Sequence, residues 1–170
     1  GLMKKVLLGL CILTICLSSC GNNKKEENCD IIVNFTAQAN VITENGNILC
    51  SISRAADNVS CISINEPSDL QGLKFIRMDN KYNIEYNELL YETNELRLPE
   101  EAFSKAIMNI LDIIESGAKL KYINTYDNIS VLTGQCDIGD FEIMVNKQTK
   151  YIEKIVINPI KVSVIFSEQH

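Results

Sequence analysis

Three side-chain chemistries are available to this chain: thiols, scattered carboxylates and one imidazole. Of seven cysteines, Cys20 stands in the most specific setting. Met3-Lys4-Lys5 is followed by an apolar run from Val6 to Leu17, broken only by Gly9 and Thr14, and then by Ser18, Ser19 and Cys20. That is a charged segment, an apolar core of signal-peptide length and a small-residue processing site ending on a nucleophile. The run is too short to span a bilayer permanently, since a dozen residues at about 1.5 Å rise reach about 18 Å against roughly 30 Å of hydrocarbon. The one imidazole is His170, the last residue, so a triad or a multi-histidine metal site would have to be built on a fraying end. Gly-rich phosphate loops are missing, and Asp137-Ile138-Gly139-Asp140 reads as a hairpin turn, not a cation loop. The acidic residues fall where charges on strands and helices normally face water. The expectation is a protein that is not an enzyme and holds no metal.

Leu17-Ser18-Ser19-Cys20 resembles a bacterial lipobox. The resemblance implies a diacylglyceryl group on the Cys20 thiol, which is the one covalent group expected and stands in place of a cofactor. It also implies cleavage between Ser19 and Cys20, leaving a mature chain anchored by acyl chains on the outer face of a bacterial cell membrane. More than one chain is needed for stable anchoring, at about 0.8 kcal/mol per buried methylene.

Residues 3–19 are thus read as signal peptide, 20–30 as the lipidated cysteine and a tether, and 31–167 as a single domain. Of 16 basic and 22 acidic residues, Lys4 and Lys5 leave with the signal, so the mature chain carries 14 against 22, a net charge of −8. That sign argues against nucleic acid and against an electrostatic hold on anionic lipid. Gly21 to Asn28 is polar, balanced in charge and without apolar periodicity, which suits a flexible spacer.

The domain begins with the clearest pattern in the chain. Ile31, Val33, Phe35, Ala37, Ala39 and Val41 alternate with Asn34, Thr36, Gln38 and Asn40, a strand with one face buried. Strands 48–54 and 59–65 follow, and pairing Ile52 with Ile62 and Cys50 with Ile64 sets apolar against apolar, leaving Cys61 on the other face. Strands 73–78 and 81–86 flank Asp79-Asn80, which places Phe75 opposite Ile84 and Leu73 opposite Tyr86. Glu66-Pro67-Ser68-Asp69 is a corner, and Leu89 to Glu92 is one more short strand.

One convincing helix is predicted over 99–116. Pro99 suits its first position, Glu100 and Glu101 the positive end of its dipole and Gly117 its stop. Its wide stripe of Ala102, Phe103, Ala106, Ile107, Ile110, Leu111, Ile113 and Ile114 must be buried, while Glu101, Lys105, Asp112 and Glu115 are expected to face water. Strands resume at 119–123, 129–136, 138–146, 150–157 and 160–166, with turns at 125–128, 146–149 and 158–159. Short spacings mean antiparallel neighbours. The fold class is α+β and mostly β: a large curved antiparallel sheet, an open or half β-barrel, wrapped around one main helix.

A lipobox, a tether, the strand IVNFTAQANV, the corner EPSDLQGLKF, NIEYNELL, a helix opened by LPEEAF and the closing VNKQTKYIEKIVI together resemble the LolA/LolB-like superfamily of lipoproteins, with its LppX-like and GerS-like members. The resemblance implies an apolar cavity between helix and sheet in members that carry lipids. Val33, Phe35 and Ala37 on the first strand and Phe103, Ile107, Ile110 and Ile114 on the helix are the candidates to line it. It also implies a second possibility, because GerS-like members act by binding a protein. The two functions expected are therefore a membrane-anchored module that binds a lipid or other apolar ligand, and a non-enzymatic adaptor that positions an envelope protein. Four cysteines, Cys29, Cys50, Cys61 and Cys136, remain in the folded part, as buried thiols or as two disulfides in one of three pairings.

Overall fold

The computed structural model describes residues 29–55, 59–79, 81–94, 102–118 and 120–170. Ser19, Cys20, the tether as far as Asn28, and Pro99, Glu100 and Glu101 lie outside the described residues.

Alternation of apolar and polar side chains, cut by short turns, produces eleven strands: β1 (Phe35–Thr43), β2 (Gly46–Arg54), β3 (Val59–Glu66), β4 (Lys74–Met78), β5 (Lys81–Tyr86), β6 (Leu89–Asn94), β7 (Lys121–Tyr126), β8 (Ile129–Cys136), β9 (Gly139–Asn146), β10 (Ile152–Ile157) and β11 (Val162–Ser167). They form one antiparallel sheet in the order β6-β5-β4-β3-β2-β1-β11-β10-β9-β8-β7, curved and unclosed. The chain enters at the centre, meanders out to β6, crosses by the helix α1 (Phe103–Glu115) to β7 at the opposite edge, and meanders back to pair β11 with β1. A helix that joins the two edges has to cross the inner face.

The pairings follow the sequence pattern. Ile52 stands opposite Ile62 and Cys50 opposite Ile64, and Phe75 stands opposite Ile84. Leu73 lies just before β4, its carbonyl accepting from the Ile64 N–H at 2.8 Å. Directly opposed residues of antiparallel strands share a face. One inner row therefore runs Ala37, Ile52, Ile62, Phe75, Ile84, Tyr91 across six strands. On the other half, Val41, Val164, Ile155, Ile143 and Leu132 form a second row. Apart from Ile84 and Tyr91 at the β5–β6 margin, these side chains meet α1 in a single core.

Three expectations are corrected. The helix starts at Phe103, because Ala102 is extended at φ −63°, ψ 117° and only its carbonyl joins the helix, accepting from the Ala106 N–H. The strand expected at 119–123 is β7, running to Tyr126 with its turn at Asp127-Asn128. Lys105 is buried at 3% exposure, since a sheet that curls around a helix covers more of it than an amphipathic stripe would suggest.

Gly134 stands opposite Phe141 on the inner face, and a Cβ there would lie 2.5 Å from the Phe141 ring and 2.8 Å from Leu120 Cδ2. Phe141 is fully buried and Leu120 packs against the core, so a side chain at Gly134 forces one of them to move. Gly134→Val is expected to cost about 1–3 kcal/mol, as overpacking does in a full core. A urea midpoint equal to that of the wild type would show that this end of the core has room.

Candidate functional site

Two arginines break the apolar character of the inner face. Arg54 follows Cys50 and Ile52 at period two, and Arg77 follows Phe75, so the strand geometry that buries the apolar residues buries the guanidiniums with them. The inner row Phe35, Arg54, Ser60, Arg77, Tyr82 runs across five strands. Facing it on α1 are Asn109, Asp112 and Glu115, three apart and so on one side of the helix. Arg54 Nη1 lies 2.7 Å from Asp112 Oδ1 and donates to Ser60 Oγ at 3.2 Å, while its Nη2 pairs with Glu115 Oε2. Arg77 Nη2 reaches the same Asp112 oxygen at 2.5 Å, and its Nη1 donates to Asn109 Oδ1 at 3.2 Å.

The guanidinium side chains are 0% and 3% exposed, whereas Asp112 keeps 42% of its side-chain surface in water. Two cations meet two carboxylates, and the helix's own groups fill the forks. The arrangement fastens the C-terminal half of α1 to β2 and β4. The expectation that Asp112 and Glu115 simply face water is thereby corrected: both are ion-paired to buried partners. The pattern was visible in principle, because an arginine in phase with buried isoleucines needs a partner on the covering element.

The residues expected to line a cavity separate into two groups. Val33, Phe35, Ala37, Ile107, Ile110 and Ile114 all lie in the single core, with exposures from 0% to 9%. Phe35 packs edge-on against Phe166, ring centroids 5.5 Å apart. Ile107 and Ile110 offer no surface to a water-sized molecule. Phe103 is different: it is half-buried at the start of α1, edge-on to Phe75 at 6.0 Å.

From Phe103 and Phe75 the inner face continues as an apolar strip through Ile84, Tyr86, Leu89 and Tyr91, and it emerges into water as it goes. Leu89 is 73% and Tyr91 57% exposed, with Leu90 at 55% on the outer side of the same strand. Sequence reasoning placed β6 but not this exposure. Its signal was three consecutive apolar residues, Leu89-Leu90-Tyr91, in a strand too short and too unpatterned to have one buried face. The outer side of the same strands carries an open cleft of about 480 Å³ lined by Met78, Lys81, Asn83 and Glu92.

Cys50, Cys61 and Cys136 are free thiols. Cys50 lies on the inner face, where burial pushes its thiol up to about 12. Cys61 lies on the opposite face, and burial raises it as well, with Lys74 pulling down and Glu85 pushing up. Neither is poised as a thiolate nucleophile. Among the described residues, no group of three or more metal-ligating side chains converges. No helix among them is long and apolar enough to cross a membrane.

No family model matches the chain, and a search of curated proteins finds no match. Solved structures do match. An uncharacterized conserved protein from Thermus thermophilus aligns with a TM-score of 0.52 at 11% identity over 80% of this chain and 77% of that one. A chain of the structure described as the CwlD amidase from Clostridioides difficile in complex with the GerS lipoprotein aligns at 0.52 and 12%, over 79% and 85%. A LolA superfamily protein from Nitrosomonas europaea aligns at 0.44 and 10%, over 83% and 87%. The likeness is one of fold, shared with the Thermus protein and with a chain of the amidase–lipoprotein structure.

Asp112→Ala tests the fastening. It leaves Arg54 with Glu115 but Arg77 with the Asn109 amide in place of a carboxylate, and breaking a buried pair costs roughly 3–5 kcal/mol, here toward the low end because water reaches Asp112. Chemical denaturation of the variant should show a clearly lowered midpoint. A midpoint within error of wild type would mean that the ion pairs do not hold the helix.

Proposed function

We propose that this protein is a non-catalytic binding module, tethered through an acylated Cys20 to the outer face of a bacterial membrane, that engages an envelope protein through the apolar strip on β4, β5 and β6. The observation that carries the reading is the contrast within the inner face. Where helix and sheet meet, six of the seven candidate cavity residues, all but Phe103, are packed, and where the sheet runs past the helix, Leu89 and Tyr91 stand in water. Large exposed apolar side chains at one place mark an interaction surface. An open strip cannot enclose a small molecule, as ligand pockets that bury most of their occupant do. The solved neighbour in which an amidase is in complex with a lipoprotein supports a protein partner in kind, not in identity.

A second reading is an apolar ligand, a lipid chain included, laid along the same strip. It is favoured by Phe103 and Phe75, whose half-buried rings continue the core surface outward. The resemblance of the sequence to LolA/LolB-like lipoproteins fits this reading too.

A photo-crosslinking amino acid at Leu89, with a second protein labelled at Ile165 as control, separates the two. Ile165 is also exposed, at 41%, but sits in β11. The proposal predicts a discrete protein adduct from Leu89 in intact envelopes and none from Ile165. Lipid adducts from Leu89 with no protein adduct would transfer the strip to the second reading. In the same cells Cys20→Ser should abolish incorporation of labelled fatty acid and release the protein from the membrane; equal labelling of the variant would remove the anchor.

A further inference from the structure

Among the described residues β6 is a terminal strand of the sheet, and its backbone shows which groups it has to offer. β5 and β6 are joined by Asn87 and Glu88 alone, with φ of 48° and 69°, so Tyr86 and Leu89 close the ladder across a two-residue turn with left-handed backbone at both positions. In an antiparallel ladder every second residue turns its N–H and C=O toward the partner strand. Leu89, Tyr91 and Thr93 therefore bond inward to Tyr86, Ile84 and Tyr82, and Leu90, Glu92 and Asn94 direct their N–H and C=O groups away from the sheet. The edge is flanked by apolar side chains on both faces, Leu89 and Tyr91 within, Leu90 without, each more than half exposed. Sheets normally protect such an edge with lysine, proline or a bulge, and here the register from Lys81–Asn94 to Tyr86–Leu89 is unbroken and β6 contains neither lysine nor proline.

We infer that β6 is the site of β-strand addition, and that the segment it accepts is an extended stretch of a partner protein, apolar on both faces and flanked by lysine or arginine. The charge of the partner follows from the edge. Between Asn87 and Asn94 the charged residues are Glu88 and Glu92, both exposed, with no basic residue among them. A second copy of this chain pairing β6 with β6 would add two more glutamates to the same seam, and like charges facing across strands are destabilising. A basic segment gains where a second copy loses. Main-chain bonds to Leu90, Glu92 and Asn94 would set the register, and the alternate side chains would contact Leu89 and Tyr91 on one face and Leu90 on the other. The inference rests on the protein-partner reading of the strip and specifies how the partner is held.

The probe is a synthetic ten-residue peptide with six central residues of alternating valine and leucine and two lysines at each end, added to the folded domain and followed by amide hydrogen exchange. Strand addition predicts slowed exchange at Leu90, Glu92 and Asn94, in alternation with Leu89, Tyr91 and Thr93, which are protected already. Leu90→Pro removes an outward N–H without touching the inner ladder, and should weaken binding by about tenfold or more. Glu92→Gln should weaken it by about twofold to fivefold and reduce its dependence on salt. Peptide binding that perturbs Leu89 and Tyr91 without alternate protection would overturn strand addition while leaving the strip as a binding surface. The absence of binding at millimolar peptide overturns it too, whereas failure of the protein-partner reading shows separately, as lipid adducts at Leu89. Protection of the same three amides without peptide, in a protein that runs as a dimer, would overturn the basic partner in favour of a second copy.

Discussion

Among the described residues, one helix has to cover the inner face of eleven strands, and the rest of the structure follows from that mismatch. Strands lie about 4.8 Å apart, so the sheet laid flat would be roughly 50 Å wide, against a helix about 10–12 Å across with its side chains. A flat arrangement would leave most of the apolar face in water. Curling brings β1, β8, β9, β10 and β11 around α1 and buries Val41, Ile107, Ile110, Ile143 and Ile155 to 0% exposure. Curling also has an end. The sheet does not close, and its β6 margin runs past the helix with Leu89 and Tyr91 uncovered. The surface proposed to bind is in this sense the remainder of the packing problem.

The ion pairs decide where along the sheet the helix rests. Apolar contacts alone tolerate sliding, because isoleucine against isoleucine is much the same one residue over. Arg54 and Arg77 sit two strands apart and converge on Asp112, so a shifted helix would strand a buried guanidinium at a cost of several kcal/mol. Buried ion pairs are weak sources of net stability, and even here neither Nε–H group has a hydrogen-bond partner among the described residues. Their value lies in selecting one docking position over its neighbours. That position sets Phe103 against Phe75 and leaves the strip beyond them open.

The fold was legible in the sequence because its determinants are local. Period-two alternation located β1, two-residue turns fixed the register of Phe75 with Ile84, and apolar matching fixed Ile52 with Ile62. The site was less legible. Phe103, Ile107 and Ile110 share one stripe, and nothing in one dimension separates a residue that fills a core from one that borders a groove. Asp112 and Lys105 appeared solvated because a helical wheel assumes a single covered face, and a curled sheet covers more than one. Leu89 and Tyr91 are inner-face residues on a strand that the helix does not reach, a fact about the curvature of the whole sheet and not about any segment of the chain.

The central claim is that the space between helix and sheet is filled and that binding takes place outside it. Ala37 tests this most directly, being 1% exposed on β1, opposite Ile52 and within the core that α1 closes. The measurement is the denaturation free energy of Ala37→Phe in the protein from Gly21 onward, with mass spectrometry of an organic extract of both proteins. A filled core predicts a loss of about 1–3 kcal/mol and no bound lipid in either protein. Unchanged stability, with stoichiometric lipid in the wild type and less in the variant, would contradict the account and put a cavity where it places packed side chains.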